Sequence, residues 1–373
     1  MSGLRWLLGC ALVAFAVVIA TGCGSSPDGS SESSNADKRS SSAREAPPAT
    51  RPSRPAPPRI SLRRAVGAKI MTGMRGTWPS RTLLRRVRAG KVGGVLLFAP
   101  NVSERLPGAV RALRRAAKRG GGRGLIIAID QEGGSVRRLG ASPPTLSAEQ
   151  MGTAGAKTAF AQGRATGKAL RATGINANLA PVADTHRAGG FLAERSFARS
   201  AGAVAKVACA FAGGLRKARV HATLKHFPGL GRARRNTDDF HVSLDVARGR
   251  LLEEIEPYRR CAKQAAMVML SNAAYPTLAG SLPAAFSPAI IRGLLRERIG
   301  FRGVTISDAL SAPGVAGPGA ALRASRAGVD MLLYTGERLS RRGYRELLAA
   351  LRAGRLSRAE VHGSARRIRA LQE

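Results

Sequence analysis

From about residue 60 onward, short continuous apolar runs alternate with longer stretches in which apolar and polar positions recur at helical spacing. The short runs read as buried strands: Ile70 to Met74, Gly94 to Phe98, Leu125 to Asp130, Ala177 to Asp184, Ala222 to Phe227, Met267 to Ser271, Val304 to Asp308 and Met331 to Tyr334. The intervening amphipathic stretches predict helices that include Val110 to Lys118, Ala156 to Ala172, Ala201 to Lys217, Pro288 to Arg298 and Gly319 to Ala327. This alternation is that of a parallel sheet wrapped by helices, and eight strands fit a single (β/α)8 barrel of the α/β class. A doubly wound open sheet would alternate in the same way. The polar residues favour the barrel: Asp130, Asp184, His226 and Asp308 each end a predicted strand, and the C-terminal strand ends are where such a barrel assembles its active site. Gly120-Gly-Gly122 precedes its strand and reads as a turn, and the sequence shows no repeat, heptad run or phosphate-binding glycine loop.

The first residues follow a different pattern. Arg5 precedes an apolar stretch from Trp6 to Ala20, and Ala20-Thr-Gly-Cys23 closes it, the layout of a bacterial secretory signal ending in a lipobox. A stretch of that length falls short of the roughly 20 apolar residues that span a bilayer. Residues 1–22 are therefore expected to be a signal peptide, with Cys23 the lipidated first residue of the mature chain. Residues 23–58 are nearly all Ser, Pro, Arg, Ala and Gly and lack large apolar residues, so a disordered tether is expected there. Residues 59–373 remain for one catalytic barrel.

With Cys10 in the signal and Cys23 lipidated, Cys209 and Cys261 are the pair left for a bridge. Both fall in helix-like segments and read instead as separate core thiols. The net charge of +38 would ordinarily suggest nucleic acid. Yet the charge is spread over nearly every helix, only 4% of residues are aromatic, and an export signal removes the chain from the cytoplasm, so no nucleic-acid partner is expected. Anionic lipid heads and wall polymers outside the cell suit the charge better. The five histidines are scattered without metal-ligand spacing, so neither a metal nor a cofactor is expected.

Three segments carry the chemistry: Ile127-Ala-Ile-Asp-Gln-Glu-Gly-Gly134, Thr223-Leu-Lys-His-Phe-Pro-Gly-Leu-Gly231 and Gly303-Val-Thr-Ile-Ser-Asp308. Together they resemble the β-N-acetylhexosaminidase branch of glycoside hydrolase family 3. The resemblance runs from about Val66 to Ala370 and includes Val92-Gly-Gly-Val-Leu-Leu-Phe-Ala-Pro-Asn101 and Asn176-Ala-Asn-Leu-Ala-Pro-Val-Ala-Asp184 in the same order. It implies that Asp308 is the nucleophile, where the segment alone would read as a helix N-cap. It also implies that Asp130, Arg138, Arg195, Lys225 and His226 hold the sugar. A carboxylate such as Asp130 can accept two charge-assisted bonds from sugar hydroxyls, and Gly133-Gly134 lets the backbone come close to a ligand.

The acid departs from the family pattern. Family members usually continue the turn as Lys-His-Phe-Pro-Gly-His-Gly and carry Asp-Ser-His on a following loop, the histidine serving as acid/base. Here the turn reads Gly229-Leu-Gly231, and the same offset lands on Asn236-Thr-Asp238. Either Asp238 is itself the acid, or an insertion of three residues shifts the pair to Asp239-Phe-His241. The ungapped alignment favours Asp238. Asn272 likewise stands where a histidine is frequent.

The resemblance implies an exported, lipid-anchored glycosidase that removes terminal β-linked N-acetylglucosamine from cell-wall glycans with retention of configuration. A β-glucosidase or β-xylosidase of the same family is the nearest alternative, but those usually need a second sandwich domain for which no residues remain after Glu373. A lipoprotein that binds glycans without cleaving them is the alternative outside enzymes, prompted by the absent histidine.

Overall fold

The structure is a computed structural model that describes residues 60–372, so the signal segment, Cys23 and the tether lie outside the described residues. The described residues form one compact unit. Its strands are β1 (Ile70–Gly73), β2 (Gly94–Leu97), β3 (Ile126–Ile129), β4 (Gln131–Gly133), β5 (Val136–Arg137), β6 (Ala177–Asn178), β7 (His221–Phe227), β8 (Met267–Leu270), β9 (Val304–Ser307) and β10 (Leu332–Tyr334). Eight of them form a parallel sheet in the order β10-β1-β2-β3-β6-β7-β8-β9. An Ile306–Met331 bridge joins the two end strands and closes the barrel. β4 and β5 form a separate antiparallel hairpin that projects from the end of β3.

All eight predicted strands are present as barrel staves. They read as unbroken apolar runs because both faces are covered, the inner by the barrel core and the outer by helices. The strand predicted over residues 177–184 pairs regularly only at Ala177 and Asn178. Pro181 has no N–H to give the ladder, so beyond Asn178 the chain keeps contact through single bonds such as Ala183 N–H to the Lys225 carbonyl at 2.7 Å. That departure brings Asp184 beside the end of β7.

Serines start most of the long helices by accepting a backbone N–H: Ser80 from Leu83 at 2.9 Å, and Ser147 in a reciprocal capping box with Gln150. The helix predicted from Ala156 is the second part of a longer element, Ala148–Ala172, broken at Gly155, where φ is 85°. It packs on Ala201–Lys217 so closely that a Cβ at Gly163 would lie 2.2 Å from the Phe211 carbonyl oxygen. Among the described residues no helix is long and apolar enough to cross a membrane.

Cys209 and Cys261 are joined in a disulfide, which corrects the expectation of two separate thiols. Helix Ala201–Lys217 lies against the short helix Glu256–Cys261 and brings the two Cα atoms to 4.9 Å, within bridging range. The 52-residue separation hid a pairing set by tertiary packing alone.

The N-terminal end of the barrel is tied by one carboxylate. Asp330 is fully buried and accepts from Arg367 at 2.6 and 3.0 Å, Arg296 at 2.7 Å, Ser364 at 2.8 Å and the Thr305 N–H at 3.0 Å. Burial alone would raise its pKa, but the Arg367 bonds and the charges of Lys69 and Arg296 hold it below the ordinary carboxylate value. Replacing Asp330 with Ala leaves these cations without their acceptor. In urea unfolding Asp330→Ala should cost about 3–5 kcal/mol; a loss below about 1 kcal/mol would show that the cluster contributes little to holding the barrel together.

Candidate active site

The C-terminal strand ends surround a cavity of about 530 Å³. Asp130, Arg138, Arg195, Lys225, His226, Asp238 and Asp308 all line it, so seven residues singled out in the sequence meet in one place. Its apolar walls include Phe98, Phe191 and Met269.

The floor is a charge network around Lys225. This side chain is only 3% exposed, and its Nζ lies 2.6 Å from both Asp130 Oδ1 and Glu132 Oε1. Arg195 forks onto Glu132, Nε to Oε2 at 2.9 Å and Nη2 to Oε1 at 2.8 Å. Burial would raise the pKa of Glu132, yet Lys225 and then Arg195 pull it down to about 2. Burial likewise opposes the Lys225 charge, but Asp130 and Glu132 raise its pKa above the ordinary lysine value. Glu132, Lys225 and Arg195 are therefore ionised at neutral pH. Glu132 had no role in the sequence reading, although it stands two residues after Asp130 in the same motif, the spacing that returns a side chain to one face of an extended segment.

Local structure fixes these groups. Asn178 on β6 accepts from the Gln131 N–H at 3.0 Å and donates to its carbonyl at 2.9 Å. The Gln131 side chain spans to the Pro143 carbonyl and the Leu139 N–H, pinning the loop that carries Arg138. Gly133 turns the hairpin at φ 107°, where a Cβ would stand 2.2 Å from the Leu146 carbonyl oxygen. Arg138 Nε is buried and has no hydrogen-bond partner among the described residues.

Asp184, fully buried, sets the next side chain along β7. It accepts from His226 Nδ1 at 2.8 Å, from the backbone N–H groups of His226 and Leu230, and from the Tyr258 hydroxyl at 3.0 Å. Burial and the Asp184 charge raise the Tyr258 phenol well above its ordinary pKa, so it remains a donor. With Nδ1 engaged, Nε2 is the ring nitrogen available to the cavity. The Lys225–His226 peptide is cis.

Two carboxylates face the cavity from other elements. Asp308 follows β9 and accepts the Ala309 N–H at 2.7 Å. Asp238 sits on the loop after β7, exposed at the cavity mouth, with its N–H bonded to Asn236 Oδ1 at 3.1 Å. Partial withdrawal from water and then the Asp308 charge raise the Asp238 pKa, against the pull of His226, Lys225 and Arg195. His241 is not in this cavity. It is exposed and lines a separate arginine-rich depression with Arg187, Arg232 and Arg235, while Asp239 faces solvent. Asn272 is buried, donating to the Ala309 carbonyl at 3.0 Å.

A closed parallel barrel with a basic and carboxylate-lined cavity at its C-terminal end is an arrangement that can serve glycoside hydrolysis, among other chemistries. Residues 67–371 match the glycosyl hydrolase family 3 N terminal domain, and the chain belongs to that family. It is 37% identical to an uncharacterized secreted glycosyl hydrolase of Arthroderma benhamiae over 85% of this chain and 95% of that one. It is 33% identical to a beta-hexosaminidase of Xylella fastidiosa over 70% of this chain and 80% of the relative. Among solved structures, a family 3 β-N-acetylglucosaminidase from a Paenibacillus species superposes with a TM-score of 0.81 at 31% identity. That match covers 84% of this chain, which spans 62% of the Paenibacillus enzyme's length.

The depressed pKa of Glu132 fixes the sign of a stability effect. A carboxylate held at about 2 against an ordinary 4.5 contributes fully above pH 4.5, and the contribution is lost as pH falls toward 2. Glu132→Gln should therefore cost on the order of 3 kcal/mol at neutral pH, with the difference from the unmodified chain closing between those two values. Urea melts across pH check it; a pH-independent penalty would contradict the network.

Proposed function

We propose that the protein is a retaining β-N-acetylhexosaminidase that removes terminal β-linked N-acetylglucosamine from cell-wall glycans. The observation that carries this reading is the pair of carboxylates in one cavity: Asp308 at a strand end, and Asp238 with its pKa raised, which suits a group that must hold a proton. The hexosaminidase and N-acetylglucosaminidase relatives support the substrate class. Asp308 would attack C1 as Asp238 gives its proton to the departing oxygen, leaving a glycosyl-enzyme. Asp238, now a carboxylate, would then take a proton from the water that attacks C1, releasing the sugar and restoring Asp308. Asp130, Arg138, Arg195, Lys225 and His226 would bind the sugar, with Glu132 keeping Lys225 and Arg195 in place.

Residues 1–22 would direct export, Cys23 would carry the lipid and residues 23–58 would tether the catalytic barrel of residues 59–373 to the outer face of the cell membrane. The secreted relative supports the extracytoplasmic location. Mass spectrometry should find diacylglycerol on the mature chain and none on Cys23→Ala; lipid on the variant would contradict the anchor.

A second reading, a glycan-binding protein without turnover, draws on the position of His241 outside the cavity. Hydrolysis of chromogenic N-acetylglucosaminides, glucosides and xylosides separates the readings. Activity is expected on the first; activity confined to the others would move the substrate class, and none at all would favour binding alone. Asp238→Asn should lose far more activity on a natural disaccharide than on an aryl glycoside, whose leaving group needs little protonation. His241→Gln should affect both substrates alike. The alkaline limb of disaccharide hydrolysis, which reports deprotonation of the acid, should disappear in Asp238→Asn; a selective loss confined to His241→Gln would transfer the role to the Asp239 and His241 pair.

A further inference from the structure

We propose that the flank of the barrel between helices Arg81–Arg88 and Glu337–Arg352 carries a binding site for a phosphate group, independent of the sugar cavity and of the function assigned to it. A cavity of about 390 Å³ opens there, lined by Arg86, Lys91, Arg338, Arg341, Tyr344 and Arg345. It shares no lining residue with the sugar cavity. Five of its six side chains are cations and none is a carboxylate. Arg338, Arg341 and Arg345 fall three and four residues apart, which places them along one face of their helix.

Arg86 is what separates this cavity from ordinary surface charge. It is only 8% exposed, and its Nη1 donates to Ser340 Oγ at 3.0 Å. Its Nη2 is buried with no hydrogen-bond partner among the described residues. Several withdrawn cations of the barrel meet carboxylates: Lys225 and Arg195 meet Glu132, Arg296 meets Asp330, and Arg232 meets Glu254. Lys69, which forms no ion pair among the described residues, donates instead to the Val329 carbonyl and Ser364 Oγ. None of the five cations here forms an ion pair among the described residues. The nearby acid, Glu337, acts favourably on Arg86 through its charge but forms no ion pair with it, and its carboxylate accepts from the Ser80 hydroxyl at 3.1 and 3.3 Å.

A buried guanidinium with an unused donor, lining one cavity with four further cations, is a costly arrangement that a bound anion would relieve. Burial, with Arg341 adding to it, pushes the Arg86 pKa down to about 10. A tetrahedral phosphate offers several acceptor oxygens to several guanidinium forks at once, which a single carboxylate does not. The cavity also far exceeds the ~30 Å³ share of one water. A lipid headgroup and a free phosphate or diphosphate present the same chemistry.

The full chain would be titrated calorimetrically with inorganic phosphate and with pyrophosphate. It would also be sedimented with phosphatidylglycerol vesicles, phosphatidylcholine vesicles serving as the blank. Each measurement would be repeated with Arg341→Ser/Arg345→Ser and with the charge-matched control Arg298→Ser/Arg302→Ser, all four residues being exposed. The pocket pair should weaken binding roughly tenfold or more while the control pair changes it little, with both pairs melting like the unmodified chain. Selective loss for the soluble anions alone identifies a free phosphate, and for the vesicles alone a headgroup; either supports the site. Equal weakening by the two pairs would reduce the effect to overall charge and overturn the proposal, as would no binding of any probe to the unmodified chain. If the pocket pair fails to fold, Arg338→Gln replaces it under the same outcomes.

Discussion

A buried ammonium dictates the geometry of the catalytic end. Lys225 is withdrawn from water at the C-terminal part of β7, and an unpaired charge there would cost several kcal/mol. Its two acceptors come from the end of β3 and the hairpin beyond it, and Arg195 closes the set from the loop after β6. One cation thus holds together segments 95 residues apart. Asp184 does the same for the adjacent His226. The cavity floor is in place before a sugar arrives, so binding does not have to order it.

The two ends of the barrel divide the work. At the N-terminal end, Asp330 gathers Arg296, Arg367 and Ser364 in a cluster that faces no catalytic cavity and ties the last helix to β9 and β10. At the C-terminal end comparable ion pairs surround a cavity instead. This division follows from parallel strands: every strand delivers its C-terminal residue, and the loop after it, to one rim. Of the two carboxylates in the cavity, Asp308 is set directly on a strand end. Asp238 rides on a loop, where a change of length moves a side chain by several ångströms.

Much of this was legible in the sequence because strand-end chemistry leaves local marks. Eight apolar runs gave the staves, and Asp130, Lys225, His226 and Asp308 stood at their ends or just beyond. What was not legible depended on contacts between distant segments. The Cys209–Cys261 bridge is fixed by how two helices pack. The early end of β6 follows from Pro181, whose effect on the ladder depends on which neighbour needs its N–H. Glu132 acquires its place only where Lys225 and Arg195, distant in the chain, converge on it. That Asp238 lines the sugar cavity and His241 a separate depression depends on the path of one loop, and no spacing rule specifies that path.

Cleavage of a glycosidic bond through Asp308, as proposed, requires that residue to carry the sugar covalently. The most direct measurement is to treat the protein with a fluorinated N-acetylglucosaminyl fluoride, which forms the glycosyl-enzyme readily and releases it slowly, and to map the label by peptide mass spectrometry. One sugar per chain is expected, attached to the peptide containing Asp308. A label on another carboxylate, or a chain that stays unlabelled while hydrolysing the N-acetylglucosaminide, would contradict it.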